Sequence, residues 1–150
     1  ISSVDNLSVG KLRADGYLKA LKDNNIEINE NIIIRTDSEM DLIDKIADLY
    51  SNNLIDGVFA LDENDSVAAL KVGVKKGYKI PKDLKIIGFA DGILASRRLS
   101  PSLTTVSQHG IDIGEVAVKL LIDRLESKEE HKPYETVVIK TKLKERESTK

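Results

Sequence analysis

The sequence has no cysteine and no tryptophan, and among 150 residues only two phenylalanines, four tyrosines, three prolines and two histidines. Without cysteine there is no disulfide framework, no thiolate zinc site and no cysteine nucleophile. His109 and His131 are too far apart in sequence for metal-ligand spacing, so neither a metal nor a cofactor is expected. Paired acids could in principle cleave glycosides, but the scarcity of rings to stack on sugar faces argues against it. No apolar run approaches the roughly 18 residues of a membrane span. The opening ISSVDNLSVGK lacks the basic head and apolar block of a secretion signal, so a cytoplasmic location is expected and the sequons at Asn6 and Asn64 carry no weight.

Basic charge is also scarce. The formal net charge is −2 and the isoelectric point about 5.8. A self-sufficient duplex-binding module shows a basic face that releases counterions from phosphates, and none is visible here. The densest basic stretch, KTKLKERESTK at the C-terminus, is broken by Glu145 and Glu147 and reads as a solvated strand edge and tail. Enzyme motifs are missing too: there is no GxSxG elbow, no GxxxxGK[ST] loop and no GxGxxG after a strand, so no catalytic residue is assigned.

What is present is ordinary for one globular domain, with 41% apolar and 32% charged residues. Residues 9–24 put Val9, Leu12, Gly16, Tyr17, Ala20 and Leu21 on one helical face, with Ser8 as cap. The isoleucines at 32–34 predict a short strand buried on both faces. Ser38 opens a second helix with Met40, Ile43, Ile46, Ala47, Tyr50 and Leu54 inward. Val58 to Leu61 predicts a buried strand ending in Asp62-Glu63-Asn64-Asp65. A helix with Val67, Leu70 and Val74 inward follows, closed by Gly77. A third buried strand covers 84–89. Residues 90–108 have no clear period, and 111–126 form the strongest helix, with Ile113, Val116, Ala117, Leu120, Leu121 and Leu125 as its stripe. Residues 135–143 alternate Val137, Ile139, Thr141 and Leu143 with polar neighbours, as a half-exposed edge strand does. Strands alternating with helices predict an α/β fold: an αβα sandwich with a mainly parallel sheet.

Ligands of such sheets bind outside the carboxyl ends of the strands. Two strands here end in acids, which accept hydrogen bonds from a polyhydroxylated ligand, and Arg13 lies near the start of the first helix, where it can grip hydroxyls or an anion. Both features have plainer readings. Asp and Asn before a helix are often caps, and Arg13 alone is surface charge.

Six segments share the order of a known family. R-x-x-G-Y…A-L at Arg13 to Leu21 is followed by DGVFALDENDSVAAL and then G-x-x-I-P-x-D-L-x-I-I-G-F at Gly77 to Phe89. P-x-L-T-T-V-x-Q at Pro101 to Gln108, I-G-x-x-A-x-x-L-L at Ile113 to Leu121 and R-E-S at 146–148 complete the set. Over nearly the whole chain this resembles the C-terminal half of the effector-binding core of LacI/GalR-family transcriptional regulators.

That resemblance implies a truncated C-terminal lobe of the periplasmic-binding-protein-like type I fold. It places the C-terminal lobe at 1–107, lacking its first helix and strand; a crossover and a helix of the N-terminal lobe at 108–130; and a return strand and tail at 131–150. It implies a small, sugar-like effector contacted by Arg13, Asp62 and Glu63, with Gln108 at the crossover between lobes; Asn64 and Asp91, at the same strand ends, complete the candidate ligand-binding set. It also implies a homodimer through this lobe, with operator DNA contacted only through a headpiece that this chain does not carry and no contact with membrane. The sugar-binding component of a transport system shares the fold and is the alternative. The family commonly has G-[FY]-D-D where this chain has Gly88-Phe89-Ala90-Asp91, so either Asp91 replaces the missing first acid or the ligand is not a typical sugar. Arg97-Arg98 read as solvated loop charge or as a dimer contact. The stripe on helix 111–126 would lack most of its native partner, and the chain is expected to hide it by self-association or by folding the helix back. Light scattering at high protein concentration, paired with a hydrophobic dye, tests this: monomers that bind no dye would refute it.

Overall fold

The computed structural model describes residues 1–4, 6–52, 55–89, 91–92, 97–128 and 133–150. Its elements in chain order are α1 (Ser8–Asp23), a 3-10 turn (Glu30–Ile32), α2 (Glu39–Ser51), β1 (Gly57–Phe59), α3 (Glu63–Lys75), β2 (Lys85–Phe89), β3 (Thr104–Ser107), α4 (Gly110–Leu125) and β4 (Lys142–Lys144). The sheet runs β1-β2-β3-β4. The first three strands are parallel, as the βαβ pattern requires, and β4 closes the edge antiparallel to β3.

Strand alternation sorts the side chains onto two faces. Val58 and Ile86 point to the face covered by α2 and α3, where the core forms with Leu42, Ile46, Tyr50, Leu70, Leu84 and Leu103. The packing is close: a Cβ on Gly88 would lie 2.7 Å from Ser66 Oγ, and one on Gly73 would lie 3.3 Å from a Leu84 methyl. The buried Tyr50 hydroxyl donates to Ala69 O, and burial, with the Tyr78 charge, pushes its pKa upward. Phe59, Ile87 and Phe89 point the other way, toward α1.

Ser38 caps α2 as expected, accepting from Asp41 N, and Gly77 takes φ +87 after α3. Several sequence expectations are corrected. Leu7, not Ser8, stands at the N-cap of α1, with no side-chain cap. The predicted strand at 32–34 is replaced by the 3-10 turn, which the Asn29 side chain caps, and by a single parallel bridge from Ser2 to Arg35. Ser2 makes this contact, donating to Ile34 O and accepting from Thr36 N. In α2 the inward face is Leu42, Ile46 and Tyr50, whereas Met40 is 79% exposed; in α3 Val74 faces solvent. Leu54 lies outside the described residues. Of the predicted strand at 135–143 only Lys142 and Leu143 pair, in a β4 that runs on to Lys144, and Val137, Val138 and Leu143 are exposed. No residue of α4 is buried, so the helix is not folded back on this chain and its stripe stays open.

The C-terminal segment also departs from its reading as a solvated tail. Ser148 is fully buried. Its amide donates to Ser102 O and its carbonyl accepts from Ile86 N. Its hydroxyl donates to Ile86 O and accepts from Thr104 N, stapling β2 to β3. Glu147 accepts from both the amide and the hydroxyl of Ser102. Ser148→Ala strands the buried Thr104 amide, and we expect a loss of about 1–3 kcal/mol. Urea denaturation measures it, and an unchanged midpoint would refute the staple.

Candidate functional site

The carboxyl ends of β1, β2 and β3 meet α1 at one rim, where a parallel sheet presents ligand sites. Arg13, on α1, reaches across it. One terminal nitrogen donates to Leu61 O at 2.6 Å, just beyond β1, and the other donates to Gln108 Oε1 at 3.0 Å, just beyond β3. The guanidinium lies 4.3 Å from the centre of the Phe89 ring, at the end of β2. Phe89 in turn packs 5.9 Å from Phe59, and Phe59 packs 6.1 Å from Tyr17. Burial draws the Arg13 pKa below its ordinary value, and the charge of Asp62 opposes that shift. One cation thus touches all three strand ends. Next to it, Leu12, Tyr17, Phe59, Phe89 and Val106 line an open apolar recess of about 460 Å³.

The segment after β1 supplies the acids. Asp62 is the N-cap of α3, accepting from Asn64 N at 2.8 Å, so the plainer reading of a cap applies to it alongside its place beside Arg13. Glu63 begins the helix. Its Oε1 is buried with no hydrogen-bond partner among the described residues and presses toward Gly92, where a Cβ would lie 2.6 Å from it. Asn64 is exposed.

Asp91 has another commitment. Thr105 Oγ1 donates to its Oδ1 at 3.2 Å, Arg146 pairs with the same oxygen, and Lys144 pairs with Oδ2. Arg146 is itself anchored by Leu103 O and Thr105 Oγ1. Burial alone would push the Asp91 pKa up, and the bonds from Lys144 and Arg146 outweigh it, leaving the carboxyl below the usual carboxylate range. The structure therefore brings Arg13, Asp62 and Gln108 together, sets Glu63 beside Gly92, and ties Asp91 to the C-terminal strand. Sequence reasoning missed the Leu61 carbonyl, the Phe89 ring and the Arg146 partner. The available signal for that partner is the charge within R-E-S. Arg97 and Arg98 are exposed; Ala90 and His131 lie outside the described residues. Among the described residues no group of three or more His, Cys, Asp or Glu could hold a metal ion, and no helix is long and apolar enough to cross a membrane.

A family profile described as a periplasmic binding protein-like domain matches residues 1–149. The chain belongs to this family. Relatives of this periplasmic binding protein-like domain include the HTH-type transcriptional regulator MalR of Clostridium butyricum, 34% identical over 99% of this chain and 44% of that protein. The ribose operon repressor of Halalkalibacterium halodurans is 37% identical over 92% of this chain and 40% of that protein. Among solved structures, the transcriptional regulator CelR in complex with cellobiose superposes with a TM-score of 0.78 at 28% identity, covering 93% of this chain and 42% of that one. A transcription regulator from Lactobacillus plantarum gives 0.81 at 26%, covering 93% and 53%. The chain thus spans about two fifths to half of the proteins it matches.

Because the folded Asp91 pKa lies below its unfolded value of about 3.9, the clasp contributes its stability above about pH 4, and that contribution is lost as pH falls through the folded value. Asp91→Asn is expected to cost about 1–3 kcal/mol at pH 7 and progressively less below about pH 4. Urea midpoints of both proteins between pH 3 and 7 report it. Parallel curves would rule out the clasp.

Proposed function

We propose that this chain is the effector-binding lobe of a DNA-binding transcriptional regulator, and that it takes a small polyhydroxylated, sugar-like ligand at the rim built around Arg13. The observation that carries the reading is the single guanidinium held by Leu61 O, Gln108 and the Phe89 ring at three strand ends. Its remaining N–H donors, with Asp62 and Glu63 as acceptors, match the alternating donors and acceptors of vicinal hydroxyls. The apolar recess beside it suits the hydrophobic edge of a sugar ring. Relatives named for regulation, and a structural neighbour holding cellobiose, support this reading over a transport component. Asp91, engaged by the C-terminal strand, is an indirect support of the rim in this reading.

The exposed stripe of α4 fits a helix that packs in a second lobe, reached through the crossover after Gln108. Ligand would then control operator binding by changing how the lobes sit, in a cytoplasmic homodimer joined through this lobe, with a separate headpiece reading DNA.

The direct test is heteronuclear NMR of this chain titrated with cellobiose, maltose and ribose. Perturbations are expected at Arg13, Phe89 and Gln108 with at least one sugar. Losing a charge-assisted hydrogen bond weakens binding about tenfold or more, so Arg13→Ala should erase them. Titrations that leave the three strand ends unmoved, or that look the same in the variant, would overturn the reading.

A further inference from the structure

Asp65 occupies a place where a carboxyl group is costly. It lies on the inward face of α3 and is 1% exposed, among Val67, Ala69 and Leu70, which serve the core. Its Oδ2 accepts from Ser3 N at 3.0 Å. Its Oδ1 is buried with no hydrogen-bond partner among the described residues. The first turn of a helix favours an acid electrostatically, yet a buried polar atom without a partner costs free energy that an apolar side chain here would not. The bond to Ser3 is therefore the feature to explain.

Ser3 immediately precedes the turn that leads into α1. Leu7 N donates to Val4 O at 2.9 Å, and the same carbonyl rests against Gly10, where a Cβ would lie 2.0 Å from it. Only glycine fits there, because the obstacle is rigid backbone and not the end of a flexible side chain. The start of α1 is thereby seated on Val4, the residue after Ser3, and Arg13 lies about one helical turn further on. On the other side of the same segment, Ile1 O accepts from Leu61 N, and Leu61 O accepts from Arg13. The Leu61 peptide is thus held from one end by the chain that leads into α1 and from the other by the side chain that α1 delivers.

We propose that Asp65 is a positioning residue for Arg13: by anchoring the Ser3 amide to α3 it fixes where α1 begins and hence where the guanidinium meets Leu61 O and Gln108. That Arg13 is a ligand contact rests on the function proposed above, but its placement is measurable without ligand. Hydrogen exchange of the Arg13 guanidinium is followed by NMR in the ligand-free chain, with Arg13→Lys assigning the signals and the Ile86 and Thr104 amides reporting on the core. Asp65→Ala, and independently Ser3→Pro, which removes the donor and leaves α3 intact, are expected to speed Arg13 exchange about tenfold while the core amides stay protected, as local opening does. Asp65→Asn keeps an acceptor of the same shape and should behave as the unaltered chain. Arg13 exchange unchanged in both Asp65→Ala and Ser3→Pro overturns the proposal. Exchange that rises in step with Ile86 and Thr104 in both variants overturns it too, by giving Asp65 a purely structural role. Sugar titrations that fail while Arg13 loosens would count against the ligand assignment and leave the positioning intact.

Discussion

A guanidinium withdrawn from bulk water must meet partners for its donors and a surface for its face, and at the strand ends Arg13 finds both. Its bonds go to a main-chain carbonyl after β1 and a side-chain amide after β3, and its plane rests on the ring that ends β2. Three strands that hydrogen-bond to one another along their lengths are thereby also joined at their tips. The rim takes its form from this one side chain. Its position depends in turn on how α1 is seated, and the contact of Gly10 with Val4 O allows little freedom there.

A second device holds the opposite flank of the rim. The C-terminal segment returns antiparallel beside β3, and Ser148 inserts between β2 and β3 with both its backbone and its hydroxyl satisfied. Arg146 and Lys144 then reach Asp91. The clasp is only partly buried, with the Lys144 side chain 43% exposed, and ion pairs withdrawn from water gain little net stability against apolar packing, so it works as a geometric constraint more than as a source of stability. It commits residues 144–148 to the shape of the rim beside Asp91, far from them in sequence.

Between these two flanks, Gln108 has a double position. It accepts from Arg13 on the rim, and the next residue, His109, turns through a left-handed conformation at φ 54 directly into α4. A change at the guanidinium is therefore one residue away from the start of a helix whose apolar side chains, Ile111, Val118, Leu121 and Leu125 among them, find no cover on this chain. The same juxtaposition of rim and open helix is what a sensing lobe would need to pass a binding event to a neighbouring body.

Local sequence determined the class of fold and most of the elements, because the alternation of β-branched runs with helical periods leaves a parallel sheet as the economical packing; β3 (Thr104–Ser107), inside a stretch with no clear period, was not legible. The Ser38 cap and the Gly77 stop were legible for the same reason: each depends on bonds within a few residues. The candidate rim was legible as a set of polar residues at strand ends, and the R-E-S motif as a resemblance. Helix phase was less legible: Met40 and Val74 fit the period but face solvent, since two apolar stripes on one helix differ only in what lies opposite. The isoleucine run at 32–34 had strand propensity, but among the described residues its pairing is limited to one bridge, between Ser2 and Arg35. Which acid lies beside Arg13 at the rim and which is spent on a clasp was decided by tertiary structure alone. Asp62 and Asp91 look alike in sequence, each an acid after a strand, and only the approach of Arg13 to one and of Arg146 and Lys144 to the other distinguishes them. Partners 49 to 55 residues away leave no periodic trace in the chain, whereas a cap or a helix face does.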